Sequence, residues 1–229
     1  MTDSANHQAL LDALGVDIES ELLTLALTHR SWAYEHNNAA TNERLEFLGD
    51  SVLGIVVTDV IFHDYPEAAE GQLARLRAAV VNSKSLAQVA RQLGVGAHIR
   101  LGRGEESTAG HDKPSILADT LEALIGAVYV NHGFAGARAF VRRIMSEHIA
   151  VAAELGAGLD WKSSLQELVA QRGMSAPFYE IEVEGPPHAR QFSAVVVLDG
   201  RRCGSGQGTS KKEAEQQAAS ETYAQLQQQ

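Results

Sequence analysis

Apolar residues recur at helical spacing through the first two thirds of the chain, which predicts a succession of α-helices. A short helix is predicted over "HQALLDALG", ending at Gly15, and a second over "ESELLTLALTHRSWAYE". Asn42 is a favourable N-cap for a long helix that continues through Phe62, with Pro66 beyond its end. Further helices are predicted within "EGQLARLRAAVVNSKSLAQVARQLG" (two of them), "ILADTLEALIGAVYVNHG" and "AGARAFVRRIMSEHI". The polar, glycine-rich segment "LGRGEESTAGHDKPS" is interpreted as a loop.

The pattern changes after residue 153. The short segment "ELGAGLD" is interpreted as a linker, and "WKSSLQELVAQRG" predicts a helix. Strands are predicted over "FYEIEVE", which alternates with period two, over "FSAVVVL", and over the glycine-rich "RRCGSGQG" as an edge strand. A last helix is predicted from near Ser210. We therefore predict an all-α domain over residues 5–153, a linker over 154–159, and an α+β domain of order α-β-β-β-α over 160–229.

Composition is that of an ordinary globular protein, with 45% hydrophobic and 21% charged residues. We find no basic N-terminal segment followed by an apolar stretch, and no apolar run of about 18–20 residues, so we expect no membrane association. Because the single Cys203 cannot form an intrachain disulfide, we expect a reducing, cytoplasmic location. The net charge of −10 argues mildly against a nucleic-acid partner, although local patches decide binding.

Two predicted helices carry carboxylates at spacings that place them on one face. Glu43, Glu46 and Asp50 follow the i, i+3, i+7 pattern, and Asp119 and Glu122 follow i, i+3. Each helix is apolar over most of its circumference, so we expect it to be buried together with its carboxylates. An ionised carboxylate buried without a partner is costly, and these acids therefore need an explanation.

Two explanations for the acids remain open at this point. They could be solvated, or paired with Arg44, Arg75 and Arg77. Alternatively they could hold a metal ion, and four converging carboxylates without His or Cys would select a hard cation, Mg²⁺ or Mn²⁺. Such sites commonly orient a phosphate and activate water.

The first turn of the last predicted helix carries Lys211 and Lys212. Cations at a helix N-terminus oppose the helix dipole, but they make that N-terminus a good phosphate site. The alternative is a solvated helix start in which Glu213 and Glu215 compensate the lysines. The residues alone do not decide between the two.

The segment "NERLEFLGDSVL" resembles the signature of bacterial ribonuclease III, and the motifs "LTHRS", "EGQLARLRAAVVNS", "LGRGE" and "SILADTLEALIGAVY" match in order. "DWKSSLQELVAQRG", "GPPHARQF" and "GTSKKEAEQQAA" resemble its double-stranded-RNA-binding domain. The resemblance implies an all-α N-terminal endonuclease domain that hydrolyses double-stranded RNA with Mg²⁺, for which Mn²⁺ can substitute. It also implies a homodimer in which each subunit cleaves one strand.

The resemblance implies roles for individual residues of the first domain. The four positions that match the family's metal ligands are Glu46, Asp50, Asp119 and Glu122. Asp50 and Glu122 are thereby expected to be catalytic, and Glu43 and Glu70 match positions that support the composite site. Phe47 matches an aromatic residue that inserts into the partner subunit at the dimer interface.

The second domain's expected RNA contacts also follow from the resemblance. Gln166 matches the first-helix residue that faces the minor groove, and His188 matches the second minor-groove contact. Ser210, Lys211 and Lys212 match the residues that bind phosphates across the major groove. This mode suits A-form RNA, which is recognised largely by shape and phosphates.

We hypothesise that cleavage leaves 5′-phosphate and 3′-hydroxyl ends with short 3′ overhangs. Ribosomal RNA precursors are the family's expected substrates, and structured messenger RNAs are further candidates. One alternative is a non-catalytic double-stranded-RNA-binding protein whose helical domain only dimerises, but no expected ligand carboxylate is missing. A second alternative is a metal-dependent hydrolase of small phosphoesters.

Overall fold

The computed structural model describes residues 2–154, 161–186 and 190–227 of the chain. The chain divides into two compact units, residues 1–158 and 159–229. The linker predicted over 154–159 lies outside the described residues from position 155 onward. Among the described helices, none is both long and apolar enough to cross a membrane.

The first unit is helical, as predicted. Its described residues form α1 (Thr2–Leu14), α2 (Ser20–Ala26), α3 (Arg30–Glu35), α4 (Glu43–Asp64), α5 (Glu70–Val81), α6 (Ser83–Gln92), α7 (Arg103–Ser107) and α8 (Pro114–Glu154). The two helices predicted after residue 115 are both present within α8, where they meet at a kink at Gly133, whose backbone is non-helical (φ 66°, ψ −173°). The predicted loop before α8 contains the short helix α7.

The prediction of one helix over residues 19–35 is wrong, because the structure has two helices with a break between them. At the break, the backbone N–H of Arg100 donates to the carbonyl of Leu27 (2.8 Å). The N–H of His29 donates in turn to the carbonyl of Arg100 (3.2 Å). A segment far away in the sequence therefore takes the backbone groups that a continuous helix would have used internally.

The core of the first unit lies where α4 and α8 pack together, the most extensive contact between its elements. From α4, Leu53, Val56 and Val57 are fully buried. The fully buried aliphatic side chains of α8 at this contact include Leu121, Leu124, Ile125 and Val128. Each such side chain contributes about 1.5–3 kcal/mol by leaving water, so this contact holds the two acid-bearing helices together.

The second unit has the predicted order α-β-β-β-α. Its elements are α9 (Trp161–Gln171), β1 (Phe178–Glu184), β2 (Gln191–Leu198), β3 (Arg201–Gly208) and α10 (Lys211–Gln227). The strands form an antiparallel sheet of order β1-β2-β3, which leaves β3 at an edge as predicted. Alternate residues of β2, Ala194, Val196 and Leu198, are buried in a core shared with α9 and α10.

The glycines of β3 allow α10 to pack directly against the strand. A Cβ at Gly204 would lie 2.5 Å from the backbone nitrogen of Thr222. A Cβ at Gly206 would lie 2.4 Å from the carbonyl oxygen of Ala214. Both contacts are with helix backbone, which cannot rotate aside as a flexible side chain can. The glycine-rich composition of this strand therefore has a packing reason.

We predict that Gly206→Ala destabilises the second unit by about 1–3 kcal/mol, because the added methyl group would overpack the strand–helix contact. Of the chain's two tryptophans, Trp161 begins α9 and Trp32 lies in α3. Thermal unfolding followed by Trp161 fluorescence in a Trp32→Phe background would report on this unit. Gln207→Ala, at the exposed neighbouring position, is the control, and equal melting temperatures for the two variants would contradict the prediction.

Candidate active site

The start of α4 is anchored to the break between α2 and α3. Asn42 precedes the helix and is buried, and its backbone N–H donates to the carbonyl of Thr28 (2.9 Å). Its side chain makes no cap hydrogen bond, contrary to the prediction, and instead donates to the carbonyl of Ala26 (3.3 Å). This tertiary bond fixes the first turn of α4, from which Glu43 and Glu46 project.

Three carboxylates from two helices converge beyond this anchor. Glu46 of α4 and Asp119 and Glu122 of α8 each offer one oxygen, and the three oxygens lie within 4.8 Å of one another. All three side chains are half-buried, so the expected burial is only partial. Glu46 and Glu122 are 76 positions apart in the sequence, and their convergence with Asp119 is the central feature of this unit.

Asp50 and Glu43 lie at the margin of this cluster and are exposed, so the prediction that they are buried is wrong. Asp50 is outside the group of three, but its negative charge contributes to raising the pKa of Glu122. Glu43 accepts a hydrogen bond from the hydroxyl of Thr41 (2.8 Å). The structure therefore brings three of the four predicted ligands together and places the fourth beside them.

Electrostatics in the cluster favour the neutral acids. Burial, together with the negative charges of Asp50, Asp119 and Glu46, raises the pKa of Glu122 to about 8. The pKa values of Glu46 and Asp119 are also raised, chiefly by burial, while the positive charge of Arg30 opposes both increases. A cation at the centre would offset this repulsion between carboxylates.

The chemistry of the donors fits a hard divalent cation. The group of three supplies carboxylate oxygens only, the ligands preferred by Mg²⁺ and Mn²⁺. Salt bridges found among the described residues do not include Glu46, Asp119 or Glu122. Of the arginines considered as partners, Arg77 donates to the hydroxyl of Thr58 (3.3 Å). The acidic cluster could therefore hold a metal ion.

A cavity of about 480 Å³ opens beside the cluster. The charged and titratable residues that line it are His29, Arg30, Glu43, Glu46, Glu105, Lys113 and Asp119. Sequence reasoning missed His29, Arg30, Glu105 and Lys113 as site residues. The first three lie in the motifs "LTHRS" and "LGRGE", which carried the family resemblance, but spacing along the chain gave no sign that these segments meet.

His29 is held in a defined orientation at the cavity. Its Nδ1 accepts a hydrogen bond from the backbone N–H of Ser31 (3.2 Å), which leaves Nε2 to carry the proton of the neutral ring. The hydroxyl of Ser31 accepts from the N–H of Gly102 (2.9 Å) and so ties α3 to the segment before α7. Burial lowers the pKa of His29, while the nearby charge of Glu105 opposes that effect.

An ion pair closes the segment between α7 and α8. The Nζ atom of Lys113 lies 2.5 Å from a carboxylate oxygen of Glu105 and also donates to the hydroxyl of Thr108 (2.8 Å). The hydrogen bond from Lys113 lowers the pKa of Glu105. This ion pair holds the charged groups of Lys113 and Glu105 in place at the cavity wall.

Two other predicted residues lie on the surface of the first unit. Glu70 begins α5, is exposed, and is not among the residues that line the cavity. Phe47 is 79% exposed on α4, one residue after Glu46. Its side chain therefore contributes little to the core of the unit.

The start of α10 carries the predicted phosphate-binding residues. The hydroxyl of Ser210 accepts a hydrogen bond from the backbone N–H of Glu213 (3.2 Å) and so caps the helix. The carboxylate of Glu213 accepts from the N–H and hydroxyl of Thr209 (2.8 and 2.9 Å), which lowers the pKa of Glu213. Lys211 and Lys212 are exposed in the first turn.

The two lysines differ in their surroundings. Lys211 Nζ lies 3.9 Å from one carboxylate oxygen of Glu215, whose other oxygen lies 2.7 Å from Lys162 Nζ. Glu215 therefore offsets part of the charge of Lys211. Gln166 is exposed on α9, whereas the predicted contact His188 lies outside the described residues.

Comparisons with known proteins agree with both units. A family model described as ribonuclease-III-like matches residues 19–148, and a model for the double-stranded RNA binding motif matches residues 161–226. Ribonuclease 3 of Nocardia farcinica is 56% identical over 223 residues, covering 96% of this chain and 93% of that protein. Ribonuclease 3 of Thermobifida fusca is 58% identical over 212 residues, covering 93% and 88%.

A solved structure matches the first unit. The nuclease domain of ribonuclease III from Campylobacter jejuni aligns with a TM-score of 0.57 at 43% identity, covering 61% of this chain and 95% of that chain. A helical nuclease-type unit bearing an acidic cluster is thus joined to a double-stranded RNA binding motif. The chain belongs to the ribonuclease III family, which confirms the resemblance and the predicted fold class.

We predict that Glu122 destabilises the metal-free protein as the pH rises. Its carboxyl has the ordinary pKa of 4.5 in the unfolded chain and a pKa of about 8 in the folded protein. Between these two pH values the folded state therefore binds more protons than the unfolded state. The free energy of unfolding must then fall with increasing pH over that range. Glu122→Gln should flatten this loss.

Melting temperatures in EDTA at a series of pH values from about 5 to about 9 would measure the effect. Glu147→Gln, at an exposed position on the same helix, is the matched control. An unchanged pH profile in Glu122→Gln would contradict the prediction.

Proposed function

We propose that the chain is an endoribonuclease that cleaves double-stranded RNA by metal-dependent phosphodiester hydrolysis. The observation that carries this proposal is the meeting of Glu46, Asp119 and Glu122 within 4.8 Å, in a chain that also bears a double-stranded RNA binding motif. Membership in the ribonuclease III family supports the same activity. A protein that only bound RNA would have no need to keep repelling acids together.

The proposed cofactor is Mg²⁺, for which Mn²⁺ can substitute. Glu46, Asp119 and Glu122 would supply three ligand oxygens, and Asp50, from its exposed position beside Glu122, would supply the fourth. When bound, such a cation supplies Lewis-acid activation of water and of the scissile phosphate. Deprotonation of Glu122 is the chain's own contribution to loading, because this carboxyl otherwise holds a proton near neutral pH.

We propose that Glu122 fixes the cation and does not act as a general base. Metal binding needs the deprotonated carboxylate, so accepting a proton would compete with the role of Glu122 as a ligand. The proposed products carry 5′-phosphate and 3′-hydroxyl ends with short 3′ overhangs.

In the second domain, duplex RNA would be bound by shape and phosphate contacts. Gln166 and His188 would reach the minor groove, and Ser210, Lys211 and Lys212 would bind phosphates at the start of α10. Because Glu215 offsets part of the charge of Lys211, we expect Lys212 to contribute more to affinity. The proposed domain boundaries are 5–153, 154–159 and 160–229.

We further propose that the enzyme acts as a homodimer. The Campylobacter jejuni structure is described in terms of a region involved in dimer formation of its nuclease domain. Here Phe47, Ile55 and Phe62 are 79%, 57% and 61% exposed along α4. Their spacings of eight and seven residues, close to two helical turns, place them along one face. Glu43 and Glu70 would support the composite site that dimerisation creates.

Cellular roles follow from the family. We propose that the enzyme is cytoplasmic and processes ribosomal RNA precursors and structured messenger RNAs. The net charge of −10 would make RNA affinity depend on the local basic surface and so on ionic strength.

We predict that Glu122→Gln lowers the rate of cleavage of a labelled RNA duplex by more than about 100-fold. Loss of a residue that only supports a metal ligand lowers metal affinity or activity by about 10- to 100-fold, and loss of the ligand itself should cost more. Binding of the same duplex should stay within about twofold, since the variant leaves the second domain unchanged. Cleavage would be assayed with Mg²⁺, Ca²⁺ or EDTA, and binding by fluorescence anisotropy.

Lys212→Ala is the reciprocal control for that experiment. It should weaken duplex binding while metal binding is retained. The slope of the logarithm of the binding constant against the logarithm of salt concentration should fall by about 1, the change expected when one phosphate contact is lost. Loss of binding together with cleavage in Glu122→Gln would contradict the assigned role. Duplex binding without cleavage by the unaltered protein would favour the non-catalytic RNA-binding alternative. Hydrolysis of small phosphoesters that duplex RNA does not inhibit would favour the small-phosphoester hydrolase.

We predict that Phe47→Ala shifts the enzyme from dimer toward monomer, because it removes a large apolar side chain from the proposed interface. Sedimentation velocity across a concentration series would measure the dissociation constant, with an expected increase of about tenfold or more. Tyr34→Ala, at an aromatic residue that is 81% exposed elsewhere on the same unit, is the control. Equal dissociation constants for both variants would contradict the proposed interface.

A further inference from the structure

We infer that Gly49 of α4 and Gly126 of α8 are positioning residues that hold the two helices close enough for their carboxylates to share one cation. The inference rests on the proposed function, since it concerns how the metal site is assembled. It assigns a role to two residues that carry no chemical group of their own. Their contribution is the absence of a Cβ atom at a helix crossing.

The two glycines meet each other's helix reciprocally. A Cβ at Gly49 would lie 1.7 Å from the carbonyl oxygen of Glu122 and 2.9 Å from the backbone nitrogen of Gly126. A Cβ at Gly126 would lie 2.2 Å from the carbonyl oxygen of Leu45 and 3.3 Å from the backbone nitrogen of Gly49. Real Cβ atoms essentially never approach within 3.0 Å of such atoms, so any larger residue must push the helix backbones apart.

The crossing coincides with the acids. Gly49 lies three residues after Glu46 and directly before Asp50, and Gly126 lies four residues, about one turn, after Glu122. The atom that a methyl group at Gly49 would strike is the carbonyl oxygen of Glu122 itself. A displacement at the crossing would therefore move the α8 backbone at Glu122, from which one of the clustered carboxylates projects.

The size of the separation between α4 and α8 decides how strongly metal coordination is affected. Restoring an allowed distance at either glycine requires the helices to separate by about 1 Å, because close-packed backbone has little room to yield. Metal–ligand distances are tolerated only within about 0.2 Å of their ideal values. Carboxylates whose helices move apart by several times that tolerance would coordinate one cation less well, which weakens its binding.

The requirement is confined to this part of α4. Gly54, five residues beyond Gly49 on the same helix, has open space where its Cβ would be. Close approach is therefore a property of the crossing beside the acids and not of the helix as a whole. Gly54 also provides a matched control, because alanine there adds the same methyl group to the same helix.

The test measures Mn²⁺ binding to the full-length chain by isothermal titration calorimetry, well below the melting temperature. The variants are Gly126→Ala, which has the milder overlap, and Gly49→Ala. The controls are Gly54→Ala and Val60→Ala, the second of which loosens the buried face of α4 without adding bulk at the crossing. Duplex RNA binding in EDTA is recorded for every variant as a check that the second domain is intact.

We expect Gly126→Ala to weaken Mn²⁺ binding by about 10- to 100-fold, the range found when groups that orient metal ligands are lost. Gly54→Ala should bind Mn²⁺ as the unaltered chain does. Val60→Ala should melt at a lower temperature and keep its Mn²⁺ affinity. Duplex RNA binding should be the same in all of them.

Three results would overturn the inference: unaltered Mn²⁺ affinity in both glycine variants, an equal loss of affinity in Val60→Ala, or failure of both glycine variants to fold while Val60→Ala folds. The last would mean that the glycines serve packing alone. Absence of Mn²⁺ binding by the unaltered chain would instead overturn the proposed function, and this inference with it.

Discussion

The repulsion among like charges at the crossing of α4 and α8 is the constraint around which the first unit is organised. Three carboxylate oxygens lie within 4.8 Å, and burial together with neighbouring charges raises the pKa of Glu122 to about 8. Such an arrangement is unfavourable by itself, so other interactions must hold it. The aliphatic contact between the two helices supplies that stabilisation, and the anchoring of Asn42 to Ala26 and Thr28 fixes where the first acids project. A site destabilised locally and supported by the surrounding core is typical of function.

The second unit meets a different requirement with different means. Recognition of duplex RNA by shape needs a rigid frame that presents a few polar groups at set positions. The glycines of β3 let α10 lie against the sheet, and Ser210 and Glu213 cap the start of that helix. Basic groups are few in this chain, and Glu215 reduces the effective charge further by pairing with Lys162.

Much of the fold could be predicted from the sequence because its signals are local. Helical periodicity identified α4 and α8, and strand alternation with glycine-rich turns identified the order of the second unit. Predictions failed where distant segments intervened. The helix expected over residues 19–35 is interrupted because Arg100 pairs with the backbone there, and Asn42 turns its side chain to Ala26 instead of capping α4. Asp50, which the apolar character of its helix predicts to be buried, is exposed.

The sequence by itself determined the class of each unit, the family, and the acids that share a helix face, since residue type and spacing act within a few turns. Only the tertiary structure decided which acids meet and what surrounds them. It brought His29, Arg30, Glu105 and Lys113 to one cavity from three separate segments. It also supplies a reason for Gly49 and Gly126. Glycine lowers the intrinsic stability of a helix, and only the backbone packed against these two positions accounts for its presence there. Periodicity predicts which face of a helix is buried, but distances between elements are set by close packing across the whole unit.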